Sequence, residues 1–99
     1  MNREQKLKEA GWDILASAND NLFVVKNMRG DVQVLHFFYD SQYGEYMVEG
    51  YFASSFDHKA QDELFEAPDK FLSKFYLYCS RLMEDWCTKE DNLYSVPKR

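Results

Sequence analysis

One stretch decides the fold of this 99-residue chain: Val32-Gln33-Val34-Leu35-His36-Phe37-Phe38-Tyr39. Its β-branched and aromatic residues favour a strand, in which successive side chains point to opposite faces. One face then carries Val32, Val34 and Phe38, and the other carries Leu35, Phe37 and Tyr39. A strand with one face in water would alternate between apolar and polar residues, whereas this one is apolar on both faces. We therefore predict a central strand with cover on each side.

Strand patterns around this stretch predict a sheet over residues 12–52. Clusters rich in Asn, Asp and Gly separate runs of strand-forming residues, which is typical of strands joined by turns. The predicted strands are Trp12–Ser17, Leu22–Asn27, Val32–Tyr39 and Glu45–Phe52. Connections this short favour a four-stranded antiparallel meander. Gly50, inside the fourth strand, predicts a bulge or a close approach of another part of the chain.

Capping signals predict a short helix before the sheet. Asn2 and Gln5 have the spacing of a capping box, and Gly11 suits the left-handed residue that often follows a helix end. The apolar side of this helix offers little beyond Leu7 and Ala10. We therefore expect it to lie on the surface.

Two helices are predicted after the sheet. Ser54 and Asp57 have capping-box spacing before a short helix whose apolar residues recur every four positions: Phe56, Ala60 and Leu64. Pro68 suits the first turn of a long helix over residues 68–88. Its broad apolar stripe contains Phe71, Leu72, Phe75, Tyr78, Cys79, Leu82, Met83 and Trp86. Residues 89–99 are predicted to form a tail that is polar apart from Leu93, Tyr94 and Val96 and that either docks on the domain or frays.

Together these elements predict one α+β domain over residues 1–99. The length is near that of a usual single domain, and 45% hydrophobic with 29% charged residues is the composition of a globular protein. We expect the long C-terminal helix to pack on one face of the sheet. The opposite face then requires cover from the short helices, from a second copy of the chain or from a partner.

The ends and the cysteines bear on location. The stretch Met1–Lys6 lacks the apolar region of a signal peptide, and no stretch approaches the ~20 apolar residues of a membrane span. Cys79 and Cys87 fall eight residues apart in the predicted long helix, too far apart for a disulfide. Free thiols are typical of a reducing compartment. We therefore expect a cytoplasmic protein, in the source cell or in a host cell, with no membrane contact.

The chain offers few groups for catalysis. His36 and His58 are its two histidines, and neither has metal-ligand spacing with the cysteines. The sequence contains none of the common nucleophile, phosphate-binding or zinc motifs, so we expect no cofactor and no enzymatic activity. A nucleophilic pair of Cys79 and His36 across the helix–sheet interface is the one catalytic alternative. The acidic runs Asp62-Glu63-Glu66 and Glu84-Asp85 are interpreted as solvated helix faces.

The charge balance bears on the class of partner. A net charge of −5 disfavours a direct nucleic-acid binder, which requires a basic field to meet the phosphates. An acidic surface instead steers association with a basic protein surface. It can also imitate nucleic acid and block a nucleic-acid-processing protein, an alternative that depends on how the charges are distributed.

The aromatic residues suggest where a partner binds. The chain has 8 Phe, 7 Tyr and 2 Trp, and tyrosine suits interfaces because its large apolar ring has a polar tip. The predicted partner-binding residues are Phe37, Tyr39, Tyr43, Tyr46 and Tyr51. The competing interpretation is that a small sheet domain fills its core with aromatic rings.

The functional hypothesis follows from surface chemistry. We expect a small acidic protein-binding module that occupies the surface of a partner, as inhibitors, immunity proteins and phage accessory proteins do. The alternatives are a homodimeric structural or adaptor protein and the nucleic-acid mimic described above.

Overall fold

One antiparallel sheet organises the molecule, and its five strands lie side by side in chain order. The strands are β1 (Asp13–Ala18), β2 (Leu22–Lys26), β3 (Val32–Asp40), β4 (Glu45–Phe52) and β5 (Trp86–Lys89) in a computed structural model that describes residues 2–95. The α+β class, the antiparallel pairing and the central place of β3 are confirmed. The prediction of four strands is wrong, because β5 pairs with the outer side of β4.

Short helices occupy both sides of the sheet. They are α1 (Arg3–Glu9), α2 (His58–Glu66), α3 (Pro68–Ser73), α4 (Phe75–Tyr78) and α5 (Glu90–Leu93), with 3-10 turns at Ala53–Ser55 and Cys79–Arg81. Within residues 2–95, no helix has the length and apolar character that a membrane crossing demands.

The long helix predicted over residues 68–88 is not present. The backbone leaves helical geometry at Lys74, with φ of −111° and ψ of 9°, and α4 then lasts four residues. Aromatic residues have modest helix propensity, and β4 offers Trp86–Lys89 a hydrogen-bonded ladder along one side of the strand. In the predicted tail, Lys89 completes β5 and Glu90–Leu93 form α5, so this part of the tail docks against β4 and β5. Residues 96–99 of that predicted tail lie outside the described residues.

One core lies between the sheet and helices α2 to α4, on what we call the helical face of the sheet. Its buried residues are Ala16, Leu22, Val24, Val34, Tyr51, Phe56, Ala60, Leu64, Phe71, Leu72 and Phe75. The short predicted helix is confirmed as α2, although its cap is Asp57 rather than Ser54. The Oδ1 atom of Asp57 accepts a hydrogen bond from the amide of Ala60 at 2.9 Å.

A second core lies on the opposite side of the sheet, which we call the terminal face because helices near both chain ends cover it. Its buried residues are Leu7, Phe23, Val25, Leu35, Phe37 and Val48, with Trp12, Ile14, Trp86, Leu93 and Tyr94 partly buried against them. The predicted Asn2 cap and left-handed Gly11 are both present. The helix is more than a surface element, since Leu7 is completely buried. The chain therefore supplies its own cover for the face that the sequence left open.

Gly50 explains how β5 attaches to β4. A β-carbon at this position would overlap the indole of Trp86, its partner on β5. The close approach predicted at Gly50 is therefore present, and the approaching group is an aromatic ring from the added strand.

Candidate partner-binding surface

Three of the five predicted partner-binding residues lie on the surface at one end of the sheet. The side chains of Tyr39, Tyr43 and Tyr46 are 54%, 69% and 54% exposed. Tyr39 and Tyr46 face each other across β3 and β4, with ring centroids 4.9 Å apart in an edge-to-face arrangement. Tyr43 lies in the turn that joins these strands. We call these three residues the tyrosine surface.

The β3–β4 turn positions this surface. Asp40 closes the turn, because its carbonyl accepts a hydrogen bond from Gly44 at 2.8 Å and its Oδ1 accepts one from Gln42 at 3.0 Å. Gly44 has a φ of +66°, which glycine adopts without a side-chain clash. The hydroxyl of Tyr39 packs close to the same glycine, since a β-carbon at position 44 would lie 3.7 Å from its oxygen. The turn and the tyrosine ring therefore form one packed unit.

The other two predicted residues are buried on opposite faces of the sheet. Phe37 is 2% exposed and packs edge-to-face with Phe23 in the terminal-face core, whereas Tyr51 is 6% exposed in the helical-face core. Tyr46 and Tyr51 are five residues apart on one strand, so alternation directs them to opposite faces. Their burial leaves neither Phe37 nor Tyr51 free to contact a partner directly.

Arg3 supports the tyrosine surface from the far end of the sequence. Its guanidinium lies 4.9 Å from the ring centroid of Phe37 and 5.6 Å from that of Tyr46. The Nε atom of Arg3 donates to Glu90 at 2.6 Å, and Nη1 donates to the carbonyl of Asp20 at 2.9 Å. Sequence reasoning missed this residue. Its partners are up to 87 positions away, and no local pattern marks such a contact.

Acidic side chains predominate around the tyrosine surface. A shallow depression of about 260 Å³ beside Tyr46 is lined by carboxylates of Glu45, Glu90 and Asp91. Lys89 also lines it, but its ammonium pairs with Glu45 at 2.9 Å, and that hydrogen bond raises the pKa of Lys89. Lys89 and Arg3 offset the charges of Glu45 and Glu90, so the three carboxylates leave a mildly negative balance to which Asp91 contributes most.

The structure places both members of the suggested Cys79–His36 pair beside one groove on the helical face. The imidazole Nδ1 lies 3.1 Å from Oε1 of Glu49. Burial, followed by the charge of Glu49, raises the pKa of the Cys79 thiol. A nucleophilic cysteine requires the opposite shift, so this arrangement does not favour thiolate chemistry. His58, at the start of α2, is exposed.

Two carboxylates from the predicted solvated runs instead join elements together. Glu63 accepts hydrogen bonds from the hydroxyl of Tyr78 at 2.6 Å and the ammonium of Lys74 at 3.1 Å. Asp85 accepts hydrogen bonds from the amide of Phe52 and the hydroxyl of Ser55. The interpretation as helix faces is therefore wrong for these two residues. Within residues 2–95, His, Cys, Asp and Glu form no group of three or more suited to a metal ion.

Comparison with known proteins adds no family to this picture. No protein-family model matches the chain, and no significant match was found among curated proteins or solved structures. The functional argument consequently depends on the surface of this chain alone.

Proposed function

We propose that this chain is a small acidic protein-binding module that occupies the surface of a basic partner. The observation that carries the proposal is the tyrosine surface, three exposed rings at one sheet end with carboxylates around them. A contact area of this kind can inhibit or neutralise its partner by covering it, without any chemistry of its own.

The energetic argument rests on the tyrosine rings. An exposed aromatic ring gains free energy when a partner removes it from water, while its hydroxyl can still find a hydrogen bond. Tyr39 and Tyr46 also support each other edge-to-face, so each ring loses little conformational freedom on binding. We therefore expect these two residues to be energetic hot spots, each contributing about 2 kcal/mol or more when truncated.

The electrostatic argument concerns the rate of association. Glu45, Glu90 and Asp91 line the depression beside Tyr46, and the whole chain carries a net charge of −5. Opposite charge on a partner accelerates encounter, and dissolved salt screens this attraction. The proposal thus predicts a partner with Lys and Arg around an apolar centre.

The test begins with affinity capture from a lysate of the source cell or its host, with nuclease treatment to remove contacts bridged by nucleic acid. The captured protein is then purified and titrated against the native chain and against Tyr39→Ala, Tyr43→Ala and Tyr46→Ala. Phe65→Ala is the matched control, because Phe65 is 55% exposed on α2 and lies outside the tyrosine surface.

We expect the tyrosine substitutions at positions 39 and 46 to weaken binding at least tenfold, and Phe65→Ala to leave it within twofold. Raised salt should reduce the association rate more than it changes the dissociation rate. Binding that survives truncation of all three tyrosines would exclude this surface.

A further inference from the structure

A groove on the helical face carries a second inference, separate from the tyrosine surface. It encloses about 480 Å³, and its lining includes His36, Glu49, Tyr51, Tyr76, Cys79 and Glu84. It exists because α3 packs over β1 and β2, while α4 ends after one turn and the chain crosses to β5. The inner part of β4 is therefore left without a helix directly over it.

The walls of the groove are aromatic. The ring of Phe75 lies 5.6 Å from His36 between centroids, and the ring of Tyr76 lies 6.1 Å from His36 in an edge-to-face arrangement. Tyr76 is 62% exposed, although it is a large aromatic residue. Its ring is therefore available to stack on a ligand at the rim.

The charge in the groove is negative. Glu49 is partly buried, and Glu84 is exposed on the other side. The lining among the described residues includes no lysine or arginine. Glu49 acts in the same direction on the pKa values of three neighbouring side chains. The pKa values of Tyr51, Cys79 and Cys87 are all raised, first by burial, and the charge of Glu49 raises each of them further.

Aromatic walls beside the carboxylates of Glu84 and Glu49, the second of which also contacts His36, favour a cation. Aromatic ring faces attract cationic groups, and a planar guanidinium can stack on a ring while donating hydrogen bonds to carboxylates. An anion would be repelled by Glu49 and Glu84, whereas a cation forms charge-assisted hydrogen bonds with carboxylates that are stronger than those of a neutral donor. The volume is within the range of small-ligand pockets and accommodates one long side chain.

We propose that this groove binds an arginine side chain of a partner protein, with the guanidinium stacked on Tyr76 and hydrogen-bonded to Glu49 and Glu84. The groove and the tyrosine surface are on opposite faces of the sheet, because His36 and Glu49 alternate with Tyr39 and Tyr46 along β3 and β4. The assignment therefore goes beyond the proposed function and does not depend on it.

The test is an NMR titration of the isotope-labelled native chain with acetyl-Gly-Arg-Gly-amide. It is run at about pH 8, where an unperturbed carboxylate is ionised and arginine is charged. The control probe is acetyl-Gly-citrulline-Gly-amide, which has the same length and a planar head group but carries no charge and has a carbonyl in place of one NH2 donor. We expect saturable shifts of His36, Tyr76 and Cys79 signals with the arginine peptide, and at least tenfold weaker binding of the citrulline peptide.

Substitutions on exposed residues locate the binding. Glu84→Gln and Tyr76→Ala should each reduce the affinity for the arginine peptide at least threefold. The spectrum of the folded protein should otherwise be unchanged. Glu66→Gln removes the same charge from an exposed site on α2 and should leave affinity unchanged. Tyr39→Ala should also leave it unchanged, which separates this test from that of the proposed function. Equal binding of the two peptides, or equal effects of Glu84→Gln and Glu66→Gln, would overturn the assignment, as would an absence of groove shifts.

Discussion

Gly50 shows how one residue can control the attachment of a whole strand. A β-carbon there would overlap three atoms of the Trp86 indole. A glycine inside a predicted strand indicated that another part of the chain approaches the backbone there, because glycine is otherwise unfavourable inside a strand. It could not name the partner. Trp86 is 36 positions later, and its own pattern suggested a helix.

The first prediction is that Gly50→Ala destabilises the fold by about 1–3 kcal/mol through overpacking against Trp86. In a Trp86→Ala background the same substitution should cost less than about 1 kcal/mol, because the clashing ring is absent. Urea unfolding of the four proteins in this double-mutant cycle measures both costs. An equal cost in the two backgrounds would mean that Trp86 is not the reason for glycine.

At the scale of elements, single side chains join the short helices and strands. Glu63 joins α2 to α4 through Tyr78, and Asp85 joins the segment before β5 to the end of β4. Each bond links residues at least 15 positions apart. A helix-periodic pattern places both carboxylates on a solvated face, so their actual roles were not visible in the sequence.

The second prediction concerns pH. The hydrogen bond from Tyr78, and then that from Lys74, lowers the pKa of Glu63, while the same Tyr78 bond raises the pKa of that tyrosine to about 12. A carboxyl group whose pKa is lower in the folded state contributes stability at pH values above its unfolded-state pKa. This contribution is lost as the pH falls through the folded-state pKa. A tyrosine whose pKa is higher in the folded state contributes stability at pH values below its unfolded-state pKa of 10.0. This contribution is lost as the pH rises through the folded-state pKa of about 12.

Tyr78→Phe should therefore lower the urea midpoint at neutral pH, and the difference from the native chain should shrink at about pH 3, where a typical glutamate is protonated. Carbon NMR of the Glu63 carboxyl should show its pKa rising in this variant. Tyr76→Phe is the control, since Tyr76 is exposed and makes no described hydroxyl contact with Glu63. A difference that stays constant with pH would contradict the linkage.

The third prediction tests the attachment of β5. Asp85→Ala leaves the Phe52 amide and the buried Ser55 hydroxyl without their acceptor, and should cost about 1–3 kcal/mol. Glu84→Ala removes an adjacent exposed carboxylate and should cost less than about 0.5 kcal/mol. Urea unfolding compares the variants, and amide exchange at Phe52 should accelerate only in Asp85→Ala. Equal stability of the two variants would refute a structural role for Asp85.

At the scale of the whole molecule, the chain covers both faces of its central strand with its own helices. Leu7 on α1 is completely buried in the terminal-face core, and Leu93 on α5 packs against the same core. The helical face is covered by α2 to α4. Functional interpretation therefore shifts from an open sheet face to the exposed end of the β3–β4 hairpin.

The fourth prediction tests this cover. Leu7→Ala should destabilise the fold by about 2–5 kcal/mol, the usual cost of truncating a fully buried leucine. Leu15→Ala, on edge strand β1 where the side chain is 41% exposed, should cost less than about 1 kcal/mol. Thermal and urea unfolding measure both changes. Comparable costs would mean that α1 contributes little to the terminal-face core.

The sequence by itself determined the local features of this protein. Runs of strand-forming residues between turn clusters identified β1 to β4, and the two apolar faces of β3 indicated its central place. The Asn2 cap identified α1, and apolar residues at four-residue intervals identified α2, because these signals depend on neighbours within a few positions. The exposed tyrosines of the β3–β4 turn were found for the same reason, since the turn brings Tyr39 and Tyr46 together.

Tertiary structure alone decided the remainder. Trp86 has helix-like spacing in the sequence but pairs with β4 in a strand. Phe37 and Tyr51 are buried in two different cores. Arg3, near the start of the chain, lies against Tyr46 of the tyrosine surface. Each outcome depends on groups that are distant in sequence and compete for burial or hydrogen bonds. The sequence pattern shows which residues are apolar. The element against which each of them is buried depends on how the whole chain packs.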